Sequence, residues 1–217
     1  MNEFSKRIIS SIILFPTTLF ILIIGSTLFN LFILLCLLIS FYEWYKLSKK
    51  KFYSYPGYIF LFFSFYTIYS LRNNFNNEYL YVLIVLLICI FSDIGGYVFG
   101  KFFKGPKLTK ISPNKTYSGS FGSFFFSILI SIFLINFDTI IFTIDIKFFE
   151  MIKLSILISF INQFGDIIVS YFKRLSEIKD TGKIIPGHGG LLDRIDGMIF
   201  AFPVSFILLK IELVKIY

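Results

Sequence analysis

Asp166 stands inside an apolar stretch, about two helical turns before Lys173. An unpaired carboxylate at mid-bilayer depth costs about 2.5–3.5 kcal/mol on insertion scales, so a metal ion, a lysine or a water-filled cavity must meet it. Ser170 and Lys173, at i+4 and i+7 from it, share its helix face. Asp93 occupies a comparable place on an earlier apolar stretch, beside Gly95 and Gly96. An interhelical hydrogen bond or ion pair accounts for Asp93 equally well. Asp193 and Asp196 are three positions apart, which puts both carboxylates on one face if that turn is helical. Hard divalent cations take carboxylate oxygens together with water and phosphate. Three aspartates, Asp166, Asp193 and Asp196, with one histidine and two widely separated cysteines in the chain, favour magnesium over zinc. The plain alternative for Asp193 and Asp196 is capping of a helix start.

The segment joining these aspartates is basic, with Lys173, Arg174, Lys179, Lys183 and Arg194, and it also carries Asp180. Within it, Pro186-Gly187-His188-Gly189-Gly190 offers backbone N–H groups unobstructed by side chains, a suitable cradle for an anion. A flexible turn has the same composition, so the glycines alone decide nothing. His188 can act as a base, a phosphate donor or a loop strut. Upstream, Ser112-Pro113-Asn114-Lys115-Thr116 adds a second polar loop with one lysine, Lys115.

These residues need elements to hold them, and the composition says which. The 217 residues are 56% hydrophobic, 21% aromatic and 16% charged. That balance excludes a disordered chain, a disulfide scaffold and a water-soluble globule. Apolar windows of membrane-crossing character lie at 8–24, 28–47, 58–71, 79–99, 121–135, 152–172 and 198–214. They are continuous rather than alternating, so helices are expected and barrel strands are not. The expected fold is an all-α polytopic transmembrane bundle of about seven spans with no soluble domain. Its 58–71 window is short, and 140–149 reads as interfacial or re-entrant. The first window follows Lys6-Arg7 without a small-residue cleavage site and is expected as a retained helix.

The net charge is +8. With the N-terminus inside, 16 of the 21 lysines and arginines fall in inner segments, the positive-inside pattern. Topology therefore accounts for much of the basic surplus, and nucleic acid is not an expected partner. The thiols of Cys36 and Cys89 lie in apolar runs and read as small buried hydrophobes.

From Ser170 to Asp196 the chain resembles the phosphatidate cytidylyltransferase (CDP-diacylglycerol synthase) family. The family signature runs Ser-x-apolar-Lys-Arg, then Lys-Asp, then Pro-x-His-Gly-Gly and Asp-Arg-x-Asp. Here it is met by Ser170, Lys173, Arg174, Lys179, Asp180, Pro186, His188, Gly189, Gly190, Asp193, Arg194 and Asp196. Ser92-Asp93 with Gly95, and Ser112-Pro113 with Lys115-Thr116, resemble two further family blocks in the expected order. Val169 and Tyr117-Ser118 depart from the common pattern, and the first 80 residues match only as hydrophobic helices.

The resemblance implies transfer of the cytidylyl group of CTP to phosphatidic acid, giving CDP-diacylglycerol and pyrophosphate. It implies N-terminal transmembrane helices over 1–80 and a catalytic transmembrane core over 81–217, with cytoplasmic loops at 101–117 and 173–197. Asp166, Asp193, Lys173, Arg174 and Lys179 are the expected catalytic residues, and Asp166, Asp193 and Asp196 the expected Mg²⁺ ligands. The carboxylate count also allows a second metal ion. Ser170, Lys115, Lys183, His188, Gly189, Gly190 and Arg194 are expected to bind substrate phosphate, with Asp93 and Asp180 in support. The lipid bilayer is a partner, a homodimer is allowed, and the expected location is a bacterial-type inner membrane with N-terminus and loops cytoplasmic. A CTP-dependent polyprenol kinase shares location and nucleotide but would release CDP. A transporter would show broken helices in both halves, whereas the polar motifs here crowd into the second.

Overall fold

Long apolar runs cannot leave backbone N–H and C=O groups unpaired in lipid, so each folds as a helix that satisfies its own. The computed structural model describes residues 3–49, 51–74, 79–109, 111–113, 115–141, 147–185, 187 and 189–214, with side chains described except at 3–9, 11 and 137–141. In chain order these form α1 (Glu3–Ile24), α2 (Ser26–Ser48), α3 (Ser54–Asn73), α4 (Leu80–Phe103), α5 (Tyr117–Ile141), α6 (Phe148–Leu175), α7 (Leu192–Ile195) and α8 (Met198–Lys210). Among the described residues there are no strands, only isolated bridges between Lys107 and Thr116 and between Ile185 and Gly189.

Each of the seven expected windows coincides with a helix, and the chain is a helical membrane protein. Among the described residues four helical stretches are long and apolar enough to cross a membrane: α2, α4, 117–136 of α5, and α6. The apolar stretches Ile12–Ile24 in α1 and Met198–Lys210 in α8 are shorter. The last window runs to 214, but α8 ends at Lys210 after 13 residues, because Glu212 turns to a positive φ of 55°. Part of 140–149, expected to be interfacial or re-entrant, falls outside the described residues.

The chain packs around two apolar cores. The larger joins Val85, Ile88 and Cys89 of α4 to Met151, Leu154 and Ile158 of α6 and Ala201 and Phe202 of α8. The smaller gathers Trp44, Leu47, Tyr53, Leu61, Val169, Leu192 and Ile199. It ties α2 and α3 to α6 and to the start of α7 and α8. Buried hydroxyls stitch the helices between these cores. Ser92 Oγ and Ser159 Oγ are 2.9 Å apart across α4 and α6, and Ser64 Oγ on α3 donates to the Ile199 carbonyl at 2.6 Å. Such bonds are favoured where the alternative partner is hydrocarbon.

Candidate functional site

α6 presents a polar stripe at helical spacing, and each rung meets a different neighbour. Asn162 Nδ2 donates to Asp93 Oδ1 on α4 at 2.7 Å. Ser120 Oγ on α5 donates to Gln163 Oε1 at 2.6 Å. One turn on, Asp166 Oδ2 pairs with Lys115 Nζ at 2.6 Å, and Asp166 Oδ1 accepts from Ser170 Oγ at 3.2 Å. Lys115 also donates to the Gln163 carbonyl at 3.1 Å. A lysine, delivered from the loop between α4 and α5, thus meets the intramembrane Asp166.

Asp196 joins this group from the other side. α8 approaches α6 through Gly197 and Gly165. A Cβ added at Gly197 would collide with Asn162 Oδ1, and one at Gly165 would lie 2.6 Å from the Phe200 ring and 3.1 Å from the Asp196 carbonyl. That close contact places the Asp93, Asp166 and Asp196 carboxylates near enough to repel one another. Enclosure by protein raises the Asp196 carboxyl well above the usual carboxylate range. Asp166 raises it further, Lys173 opposes, and the Gly197 N–H donates to Asp196 Oδ1 at 2.9 Å. Asn162 Oδ1 is buried with no hydrogen-bond partner beside these groups. Asp93 is exposed and the Asp166 side chain 32% exposed, so the carboxylates remain reachable from outside the protein.

Asp193 goes elsewhere. Its Oδ2 accepts from the Thr181 N–H at 2.8 Å and the Gly190 N–H at 2.9 Å, with the Thr181 hydroxyl oxygen 3.1 Å away. Its Oδ1 pairs with Lys173 Nζ at 3.0 Å, the two side chains being 5% and 12% exposed. Asp193 is thus bound by its own donors, apart from the contacts of Asp166 and Asp196. Among the described residues no group of three His, Cys, Asp or Glu side chains has metal-holding geometry. The i, i+3 spacing holds, but Asp193 is claimed by donors that loop closure brings to it.

The remaining expected residues follow the loop. Gly187 and Gly189 have φ of 76° and 89°, values that let the chain reverse so that Ile185 and Gly189 exchange N–H···O bonds of 2.9 and 3.2 Å. Arg174, Lys179, Asp180, Lys183 and Arg194 are exposed at this end of the bundle. His188 and Pro186 lie outside the described residues. The site thus holds exposed cations for anionic groups, and carboxylate oxygens for a hard cation.

Sequence reasoning missed Glu43, Asn162, Gln163 and Thr181. Glu43 on α2 is fully buried, accepting from the Thr181 hydroxyl at 2.9 Å, the Leu191 N–H at 2.9 Å and the Leu192 N–H at 2.8 Å. The signal was present: Glu43 is the only acidic residue in α2, and an ionisable group in a span is a functional candidate by default.

The cytidylyltransferase family profile matches this chain at residues 5–75 and 59–212. The chain belongs to the cytidylyltransferase family. The family match takes in every site residue described above, Glu43 included. Similar proteins are the phosphatidate cytidylyltransferases of Staphylococcus epidermidis, 39% identical, and Staphylococcus aureus, 38% identical, each over 130 residues. A third, of Staphylococcus haemolyticus, is 37% identical over the same length. Each match covers 59% of this chain and 48% of the relative, so the cytidylyltransferase chain spans about half the length of these relatives.

Proposed function

We propose that this chain transfers the cytidylyl group of CTP to phosphatidic acid, giving CDP-diacylglycerol and pyrophosphate at the cytoplasmic face of a bacterial plasma membrane. The observation that carries the reading is the Lys115–Asp166 pair of 2.6 Å, set among carboxylates on membrane helices and beside an exposed basic loop. A soluble triphosphate and a lipid phosphate can meet there, at headgroup depth. The inward bias of the lysines and arginines supports the cytoplasmic orientation.

In this reaction a phosphate oxygen of the lipid attacks the α-phosphorus of CTP, and the bond from that phosphorus to the oxygen bridging to the β-phosphate breaks. The nucleophile is a phosphomonoester with a second pKa of about 6, already ionised at neutral pH, so no strong base is required. His188 accordingly has a loop or phosphate-binding role. The chain's work is positioning and charge neutralisation. Lys115 is placed at Asp166, where it can meet the incoming lipid phosphate. Arg174, Lys179, Lys183 and Arg194, exposed at the loop, neutralise the departing pyrophosphate, while Lys173 and Gly190 hold Asp193, Ser170 holds Asp166 and Gly189 closes the turn on Ile185.

The donor set fits magnesium with two carboxylates rather than three. Asp166 and Asp196 would supply the carboxylate oxygens beside the unpartnered Asn162 Oδ1, the Lys115 and Ser170 bonds to Asp166 yielding to the ion, while Asp193 stays in its buried pair with Lys173. Magnesium commonly takes one or two carboxylates and completes its shell with water and substrate phosphate. Bound there, it would supply Lewis-acid neutralisation of the triphosphate.

The test is purified protein with phosphatidate, Mg²⁺ and CTP labelled at either the α- or the γ-phosphate. Label from the α-phosphate should enter lipid and label from the γ-phosphate should leave as pyrophosphate. Transfer of γ-label to lipid, or no phosphatidate-dependent release, would refute the reading.

A further inference from the structure

The structure assigns Glu43 as a positioning residue for the segment 181–192, acting on the site through Thr181 and Asp193. The assignment rests on the proposed reaction for its kinetic consequence, though not for its geometry. Glu43 lies in the half of the chain that otherwise reads as plain apolar helix. Its carboxyl group is nevertheless fully buried, with three donors all drawn from one distant segment: the Thr181 hydroxyl, the Leu191 N–H and the Leu192 N–H. Burial of a carboxyl without such partners is strongly unfavourable, so this geometry is closely specified.

The connection to the site runs through one hydroxyl. Thr181 Oγ1 lies 2.9 Å from Glu43 Oε2 and 3.1 Å from Asp193 Oδ2, and it has a single hydrogen to give. The Thr181 N–H donates separately to Asp193, whose other oxygen holds Lys173 at 3.0 Å. Glu43, Thr181, Asp193 and Lys173 therefore form one chain of contacts from α2 to the end of α6. The glycines of the loop are shaped by it. A Cβ at Gly190 would lie 2.6 Å from Glu43 Oε2 and collide with Thr181 Oγ1, and one at Gly182 would lie 2.7 Å from Glu43 Oε1. Gly190 is thus required by the close approach of Glu43, whatever it also offers to a phosphate.

Loss of this brace frees the segment that carries the nucleotide-facing cations, so nucleotide binding must then order it. The experiment compares Glu43→Gln and Thr181→Val in the full-length protein. Glu43→Gln keeps the shape but replaces one acceptor oxygen with an N–H₂ group facing donors. It should raise KM for CTP roughly 10-fold while KM for phosphatidate stays within about twofold. Thr181→Val should shift KM for CTP in the same direction, and the double variant should be no worse than Glu43→Gln alone, because the two act in one chain. Amide hydrogen exchange should quicken across 181–192 and stay unchanged across 117–136.

A role in folding alone would reduce the amount of active enzyme and leave the KM of the remainder at the wild-type value. Wild-type KM for CTP in the folded variants, or unchanged exchange at 181–192, overturns the assignment. If Glu43→Gln does not fold, Thr181→Val decides by the same two readings. Should the wild-type protein show no activity with CTP and phosphatidate, the proposed reaction fails, and hydrogen exchange still decides the brace.

Discussion

Segment 104–116 turns largely on its own backbone: the Leu108 N–H donates to the Lys115 carbonyl at 2.8 Å, and the Tyr117 N–H to the Pro106 carbonyl at 3.2 Å. Segment 176–191 is held from outside. Lys51 Nζ donates to the Leu175 carbonyl at 2.9 Å, Ser176 Oγ to the Leu47 carbonyl at 2.6 Å, and Glu43 and Asp193 grip its far end through the Leu191 and Gly190 N–H groups. The first loop delivers one lysine to Asp166, and the second displays several cations around a shared frame. A self-braced loop can be supplied by local sequence, whereas the second needs α2 and the turn after it in place. The N-terminal helices are therefore part of the site's support, although none of the expected site residues lies on them.

The largest effect should come where the first loop meets α6. Asp166→Asn should abolish cytidylyl transfer, and Lys115→Met should lower kcat/KM by ~10³-fold, as for loss of a preorganised charge at a reacting centre. Initial rates of pyrophosphate release measure both, and near-normal turnover in Lys115→Met would leave the first loop without the role given to it. Next comes the second loop's internal pair. Breaking a buried ion pair by removing one partner costs about 3 kcal/mol or more, so Asp193→Asn should lower the melting temperature in detergent markedly. A double-mutant cycle with Lys173→Met should show strong coupling; additive losses would mean that the two side chains do not act together.

A smaller effect tests the α6–α8 contact that both loops depend on. Gly197→Ala pushes a methyl group into Asn162 and should cost about 1–3 kcal/mol of stability by overpacking. An unchanged melting temperature would mean that α8 can slide without disturbing Asp196. Smallest is Lys51→Ala, which removes an exposed bond to the Leu175 carbonyl. A solvent-exposed contact of this kind is worth under about 1 kcal/mol. Hydrogen exchange should quicken slightly at 176–178 and nowhere in 104–116; a response in the first loop would erase the contrast between the two.

Much of this was legible in the chain itself. Uninterrupted apolar runs of bilayer length leave helix as the only economical backbone state, so the seven windows and their helices agree. The aspartates of the site were also visible, because one such as Asp166 in hydrocarbon demands a partner, while Glu43, Asn162, Gln163 and Thr181 drew no notice. The kind of partner was not legible: a metal ion, a lysine and a water-filled cavity were all open, and Lys115 is the side chain that pairs with Asp166. Spacing along one helix fixes which residues share a face, and Ser170 does meet Asp166, whereas Lys173 pairs with Asp193.

Spacing says nothing about which donors a loop will bring to that face. Asp193 and Asp196 look equivalent in sequence, yet one closes on Thr181, Gly190 and Lys173 while the other accepts from the Gly197 N–H and feels the charges of Asp166 and Asp93. Nothing near Glu43 in the sequence points to its three donors, which lie 138 to 149 positions away. The sequence alone determined an all-helical membrane chain with a charged, glycine-bearing face, because hydrophobicity and helix period are local properties. The tertiary structure decided the division of labour among the carboxylates, because each buried oxygen binds whichever donor chain closure places within 3 Å or so, and that closure is a property of the whole bundle.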